Sequence, residues 1–556
     1  MKEFGFYDDV GGVMLNEQIE ISSDENAEFL VANSRKLKAE IYAPEISFYL
    51  KNSKDSVLEK SKNALLLYEA RANVFDSAKD IDYQKNVGKN VVIISNGGRA
   101  ELAQSLKDGG FKVIELSHFE IKFLYGAVGE LSVIVLNEQG EFEVDADFVL
   151  VENARDYMLR QSGCIEIFGK SDEEILTLLN ASSPTYAYKS FTTYDSSICQ
   201  YHERRHEICA KCSEVCPTVA ILKEDETKHL IFSHIDCINC GECISVCPSG
   251  ALDSSLMPRE SFYANAKLYK DKIPLVLLTD ELENLNIELP ENVLPFAVRS
   301  EKFLNETHLI SLLQESGSSL VIYPAKRSRA MSSAIDMLNQ IYELKFNKTA
   351  IFVAKNESEL KDMLNKAKLI DGSQKTTSSY ALPKREVFAK RLSYLVGDEN
   401  LGVVYADGAI EYGKVEINQD TCTLCLSCVG ACNVSALVAD KSDNSIKFNP
   451  SVCTACGYCE LSCAEKDTIK LTRGKIELKP EYFTYNELAK DELFKCVECG
   501  KEFATKKAVE KIATLMLPRF ANQPDKIKTL YCCSDCKAKV MIKAQIAAQQ
   551  SEKFYD

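Results

Sequence analysis

The chain has 556 residues and a mass of 62.1 kDa, room for about three to five domains. Apolar residues make up 46% and charged residues 27%, which excludes disorder along the whole chain. The 66 basic and 82 acidic side chains leave a net charge of −16, which excludes a basic nucleic-acid-binding surface. Cysteine is the outlier, with 22 residues against no tryptophan. No secretory signal is visible at the start, and no apolar run approaches the ~18 residues that span a bilayer. A cytoplasmic location without an integral membrane segment is therefore expected. In that compartment, so many thiols point to metal binding or redox chemistry and not to disulfides.

Residues 1–89 are expected to form a mainly helical N-terminal region, with its clearest helix at Val57 to Phe75. Residues 90–198 read as a small α/β domain. Asn90 to Ile94 is a strand, Ser95-Asn96-Gly97-Gly98 a turn, and Arg99 to Lys107 a helix stopped by Gly109-Gly110. Further strands are expected at Phe111 to Leu116, Leu131 to Leu136 and Phe148 to Val151. A glycine turn between strand and helix could hold the phosphate of FAD, FMN or NAD(P). It is not G-x-G-x-x-G, and plain chain reversal is the simpler reading.

The first dense cysteine block lies in residues 199–260. Its members are Cys199, Cys209, Cys212, Cys216, Cys237, Cys240, Cys243 and Cys247. Residues 272–370 hold no cysteine and alternate strand with helix. Strands are expected at 274–278, 293–296, 320–323 and 350–353, and helices at 303–314, 330–342 and 358–368. That order predicts a parallel sheet with helices on its faces. Residues 371–414 are expected to be a linker and connecting segment, rich in small polar residues at its start.

The second dense block lies in residues 415–475. It contains Cys422, Cys425, Cys428, Cys432, Cys453, Cys456, Cys459 and Cys463. Adding 216 to each cysteine of the first block from Cys209 onward lands on a cysteine of the second, seven times in seven. The chain therefore holds two copies of one module. The repeating run is C-x2-C-x2-C-x3-C, the spacing of two-cluster iron–sulfur proteins. Three thiolates on a tight loop reach one cube, and the fourth ligates the other cube. Cys216 is thus expected with Cys237, Cys240 and Cys243. Cys432 is expected with Cys453, Cys456 and Cys459, and Cys463 with Cys422, Cys425 and Cys428. Zinc knuckles would show pairs of C-x2-C instead of unbroken four-cysteine runs. Short apolar pieces at 220–222 and 231–232, and at 436–438 and 446–448, read as hairpins covering the clusters.

One position breaks the repeat. Moving Cys422 back by 216 lands on His206. Cys199 could loop in as the missing ligand, His206 could ligate iron through its imidazole, or the corner could stay open. Thiolate is the usual ligand, which favours Cys199 with Cys209, Cys212 and Cys247. His202, Arg204, Arg205 and His206 also place positive charge near that cluster, and a solvated loop is the plainer reading of the run.

Residues 490–556 carry Cys496-x2-Cys499-Gly500 and, about thirty residues later, Cys533-x2-Cys536. Two such knuckles suggest a structural zinc site, in preference to a fifth iron–sulfur centre. Cys532 is a spare that could compete with Cys533. Val509, Ile512 and Met516 fall on one helical face between the knuckles, and Pro518 ends the helix. From Lys479 on there are 14 basic and 11 acidic residues. This balance reads as solvated charge, with docking of the tail as the alternative.

Residues 199–253 and 415–472 each resemble a bacterial-type ferredoxin carrying two [4Fe-4S] clusters. Pro217 and Pro248 keep that family's pattern, while Asn433 and Ala464 replace its proline. Residues 272–370 look similar to the delta subunit of methanogen hydrogenases, whose cluster cysteines have no counterpart here. Gly126-Ala-Val-Gly129 before a strand is similar to a stretch in the flavin subunit of heterodisulfide reductase. The fold class expected is α/β plus α+β and multidomain. It comprises two ferredoxin-like dicluster modules, α/β domains between them and N-terminal, and a small zinc-ribbon-like C-terminal domain. The function implied is a polyferredoxin-like electron carrier with four [4Fe-4S] clusters, and the tail spacing implies a zinc. Its partners would be dehydrogenase or hydrogenase subunits. Two alternatives remain: a flavin- or nicotinamide-dependent oxidoreductase using residues 90–171, and a metalloenzyme maturation factor. No nucleophile motif, P-loop or pair of catalytic carboxylates is found, so no catalytic residue is expected.

Overall fold

A computed structural model describes residues 2–8, 13–137, 140–324, 327–376 and 381–552. The chain divides into two units, Met1–Lys384 and Arg385–Asp556. Among the described residues, no helix is long and apolar enough to cross a membrane.

The first unit opens with a four-stranded parallel sheet. Its order is Ile21–Ser22, Lys2–Gly5, Phe29–Ala32, Ala39–Tyr42. The helices Pro44–Asn52 and Val57–Ser77 follow. Ser56 caps the longer one by accepting the Glu59 N–H at 3.4 Å. The N-terminal region is therefore a sheet followed by helices. Strands of two to four residues are too short to show an alternating pattern, which is why the sequence reveals only the helix.

The next domain is built on strand Asn90–Ile94. It sits in a parallel sheet ordered Cys164–Glu166, Phe148–Val151, Asn90–Ile94, Lys112–Leu116. Val91 and Ile93 face a core with Leu102 and Leu106 of helix Ala100–Asp108 and Ile175 and Leu179 of helix Asp172–Ser182. Val92 and Ile94 face a second core with Leu124, Val133 and Val135. These belong to an antiparallel sheet of Ile121–Ala127, Glu130–Asn137 and Gly140–Ala146. The strand is apolar at every step because both of its faces are buried. One cover is helical and the other is a sheet.

Residues 272–370 form a parallel sheet ordered Val293–Val298, Ile273–Leu278, Leu320–Tyr323, Ile351–Val353. The helices Glu306–Ser316, Arg329–Phe346 and Glu357–Lys366 alternate with these strands. Asn305 caps the first helix by accepting the Thr307 and His308 N–H groups at 3.0 and 3.3 Å. Every residue of that helix is buried. The first cysteine block lies between the two α/β domains in sequence. It is closed by pairing Thr192–Tyr194 with Leu252–Ser254 and covered by the hairpin Ile221–Glu224/His229–Phe232.

The connecting segment is less of a linker than its composition suggests. Residues 377–380 lie outside the described residues, but Lys384–Val396 is a helix and Val403–Tyr405 a strand. Val387, Phe388, Leu392, Leu395 and Val396 are buried at helical spacing. The basic residues Lys384, Arg385 and Arg391 mask that stripe in the sequence, yet they too are buried.

In the second unit, Gly413–Ile417 pairs with Ile469–Arg473 around the second cysteine block. The hairpin Leu437–Asp440/Ser445–Phe448 takes a third strand, Asn486–Lys490, that leads into the tail. The tail is a hairpin, Leu493–Lys495/Glu502–Thr505, followed by helices Lys506–Met516, Pro524–Leu530 and Ser534–Glu552. On Lys506–Met516 the buried pair is Val509 and Ala513, while Ile512 is exposed. The small Ala513 allows close packing where a face through Ile512 would not. The tail's charge is partly used in docking. Lys511 pairs with Glu465, Lys507 donates to the Gln419 carbonyl, and the Thr505 hydroxyl donates to the Thr423 carbonyl at 2.8 Å.

One buried ion pair ties the first module to its scaffold. Lys384 Nζ lies 3.1 Å from Glu306 Oε1 and donates to the Cys247 carbonyl at 2.9 Å. Their side chains are 1% and 0% exposed. Removing one partner strands a buried charge. Lys384→Met should therefore destabilise the first unit by about 3–5 kcal/mol, measured by chemical denaturation. Adding Glu306→Leu should restore most of that loss.

Candidate iron–sulfur centres

The loops are built by a recurring local device. Four residues before Cys422 and Cys453, an asparagine side chain accepts a backbone N–H two residues on. These bonds are Asp420 N–H to Asn418 at 3.0 Å and Ser451 N–H to Asn449 at 3.1 Å. Such Asx turns fix the direction in which the chain enters the loop. The Ala455 N–H then donates to Cys453 Sγ at 3.3 Å. Residues between the cysteines take left-handed backbone: Asn239 and Gly241, Leu424 and Leu426, Ala455 and Gly457. That conformation turns successive N–H groups toward the sulfurs. The third cysteine of each run (Cys212, Cys243, Cys428, Cys459) lies in a short helix.

Cys199 has the same frame. Asp195 accepts the Ser197 N–H at 3.0 Å, and the Tyr201 N–H donates to Cys199 Sγ at 3.4 Å. Strand Thr192–Tyr194 precedes it as Gly413–Ile417 precedes Cys422. His206 is exposed, and Ala210 at φ 125° is the only residue between 206 and 212 with positive φ. The structural counterpart of Cys422 is thus Cys199. The shift between copies is 223 at Cys199 and 216 from Cys209 onward, so the first copy carries seven extra residues. The sequence holds a signal for this: Asp195-x3-Cys199 matches Asn418-x3-Cys422 and Asn449-x3-Cys453.

The cysteines gather in sets of four. Cys199, Cys209, Cys212 and Cys247 line one small gap, with Tyr194 and Tyr201. Cys216, Cys237, Cys240 and Cys243 line another, with Phe232 and Ile244. Cys432, Cys453, Cys456 and Cys459 line a third, with Val415 and Phe448. Cys422, Cys425, Cys428 and Cys463 act electrostatically on one another. Each set takes three cysteines from one run and one from the other.

The donor chemistry fits a cationic iron core. Burial pushes the Cys209 thiol up to about 11 against the N–H groups of Lys211 and Ala210. Burial and the neighbouring Cys422, Cys425 and Cys463 push Cys428 up to about 12. Cys212 and Cys243 are driven well up, first by burial and then by their thiolate neighbours. Four thiolates cannot share such a space without positive charge among them. Cys425 differs: it is exposed, and hydrogen bonds from Ser427 overcome its burial and lower its pKa.

Two glycines are required by the packing. A Cβ on Gly241, at φ 79°, would lie 2.6 Å from Phe303 Cβ. One on Gly250, at φ 77°, would lie 2.6 Å from Lys384 Cβ. Ser300 also donates to the Cys240 carbonyl, fixing the loop to the neighbouring domain.

The tail makes a separate cluster. Sulfurs of Cys496, Cys499, Cys533 and Cys536 all lie within 4.8 Å of one another. Cys499 and Cys533 are 3.8 Å apart, and the Cys533 N–H donates to Cys496 Sγ at 3.3 Å. Burial raises the Cys496 thiol, but the N–H groups of Cys533, Glu498 and Cys499 outweigh it and bring it to about 6. Cys532 lies beside Cys496 and donates to the Lys528 carbonyl at 3.3 Å.

Residues 189–251 and 414–464 each match a family model described as a 4Fe-4S dicluster domain. The chain carries two ferredoxin-type modules. These modules make it an iron–sulfur protein, with [4Fe-4S] clusters as its cofactors. The matches leave most of the chain uncovered, and no curated protein matches it.

The Asx turn at Asp195 supports a prediction. Asp195→Ala removes a cap worth ~1 kcal/mol, so Cys199 should hold iron about fivefold less tightly. Iron release to a chelator should quicken for the part of the iron held beside Cys199, while iron in the second module is released as in wild type.

Proposed function

We propose that the protein is an electron carrier holding four [4Fe-4S] clusters and serving a larger oxidoreductase of the dehydrogenase or hydrogenase type. The observation that carries this reading is the sorting of sixteen cysteines into four sets of four, two per module. The proposed ligand sets are Cys199/Cys209/Cys212/Cys247, Cys216/Cys237/Cys240/Cys243, Cys422/Cys425/Cys428/Cys463 and Cys432/Cys453/Cys456/Cys459. When bound, each cluster takes up and gives back one electron. The chain's own residues hold the thiolates, supply N–H groups to their sulfurs and screen them with Tyr194, Tyr201, Phe232 and Phe448. Iron and sulfide analysis of anaerobically prepared protein tests the reading. About 16 of each per chain are expected, and half that number would overturn it.

The odd ligand gives a sharper test. Cys199→Ser should convert one cluster to a three-iron form. His206→Ala should leave the iron count unchanged. The reverse pattern would make imidazole the ligand.

The tail is proposed to be a zinc-ribbon-like domain with Cys496, Cys499, Cys533 and Cys536 as ligands. Their mutual spacing supports a single tetrahedral ion, and Cys532 is not among the four that lie within 4.8 Å of one another. Cys499→Ser should lose one zinc and unfold the tail without changing the iron count. Loss of iron instead would place a cluster there.

A second reading keeps a flavin or nicotinamide site in residues 90–171. It rests on the turn after Asn90–Ile94, where a Cβ on Gly97 or Gly98 would meet nothing within 4 Å. Against it, the adjacent Arg99 is already paired with Glu152 at 2.7 Å. Flavin bands in the absorbance spectrum would favour this second reading.

A further inference from the structure

The seven extra residues of the first module bring new chemistry to its surface. The enlarged loop runs from Gln200 to Ile208, and its backbone is held to the tip of the covering hairpin. The Glu203 N–H donates to the Lys228 carbonyl at 3.2 Å. Glu203 and Lys228 both take left-handed backbone, at φ 53° and 57°. Such strain in non-glycine residues costs energy and fixes where the neighbouring side chains point. The result is a cluster of His202, Glu203 and His229, whose ligand atoms all lie within 4.8 Å of one another.

These three groups are not satisfied as a hydrogen-bonded set. Glu203 Oε1 is 3.7 Å from His202 Nε2 and 3.9 Å from His229 Nε2. Those separations are too long for hydrogen bonds, which close at about 2.7–3.2 Å. They are close to the spacing of ligands around a shared ion. Bonds of about 2.0–2.1 Å at tetrahedral angles place donor atoms roughly 3.4 Å apart. His202 Nδ1 is also buried without a hydrogen-bond partner. The imidazole rings sit edge to face, with centroids 4.5 Å apart. Lys228, at the same hairpin tip, directs its ammonium elsewhere: its Nζ donates to the Asp225 carbonyl at 2.7 Å.

We propose that His202, Glu203 and His229 bind a divalent transition-metal ion of the zinc class. Two imidazoles and one carboxylate are a set that such ions accept, with remaining positions open to water. The ion would clip the inserted loop to the hairpin beside the first cysteine cage. This site is independent of the four-cluster reading and of the tail, because none of its ligands is a cysteine.

The test uses the full iron-loaded protein, stripped of loosely held metal and dialysed against micromolar Zn²⁺ under anaerobic conditions. Zinc and iron are counted by mass spectrometry. Wild type should hold one zinc more than His229→Ala or His202→Ala, with equal iron in all three. Any zinc in the tail is common to the three proteins and cancels. Glu203→Gln, which keeps the loop's shape, should weaken the extra zinc by about tenfold or more. Zn²⁺ should also slow tryptic cleavage at Arg204 and Arg205 in wild type but not in Glu203→Gln. Equal zinc counts in wild type and both histidine variants, at unchanged iron, would overturn the proposal. So would cleavage that Zn²⁺ does not slow.

Discussion

Four thiolates cannot be buried around one point without a cation between them. Most of the observed architecture around the cysteines answers that constraint. Burial and mutual repulsion raise the thiols at Cys212, Cys243 and Cys428. Backbone N–H groups aimed at sulfur, as from Ala455 and Tyr201, offset part of the cost. Left-handed residues between the cysteines make that aim possible. The remainder falls to the metal, so the folding of each module is linked to its loading. Exchanging one cysteine between the two runs of a module makes each cage depend on the other.

The α/β domains hold these loops in place. Phe303 fills the space that a side chain on residue 241 would need, and Ser300 holds the Cys240 carbonyl. Lys384 reaches the Cys247 carbonyl from a buried position balanced by Glu306. In the second unit, Arg385 donates to the Glu411 carbonyl at 2.7 Å and stacks over Tyr412 at 4.0 Å. It is buried, and its charge acts on Cys453. Both cations thus place buried positive charge beside the cysteine loops, where it offsets the negative charge of thiolates.

How much was legible in the sequence follows from physical range. Cysteine spacing is a local geometric demand, so the runs and their repeat stand out directly. Strand Asn90–Ile94 and the alternation in residues 272–370 are legible because parallel strands buried on both faces are apolar throughout. The origin of the odd corner was harder. A fixed shift of 216 lands on His206, because an insertion before Cys209 breaks the register without breaking the motif, and only the preference for thiolate ligands favours Cys199. Asp195 carried the missing information, since its turn sets the entry to Cys199 as Asn418 does for Cys422. The N-terminal sheet was too short in each strand to show a period. Helix Lys384–Val396 was hidden by basic residues that only tertiary contacts explain. The histidine–glutamate cluster joins residues 26 or more positions apart through the hairpin tip, which no local pattern reveals.

Four cages of four thiolates, two per module, would store four electrons per chain under the proposed reading. Anaerobic coulometric titration of the iron-loaded protein counts those electrons directly. Four one-electron equivalents per chain, taken up and returned without a bound organic cofactor, are expected. Uptake of only two, with full iron content, would contradict it.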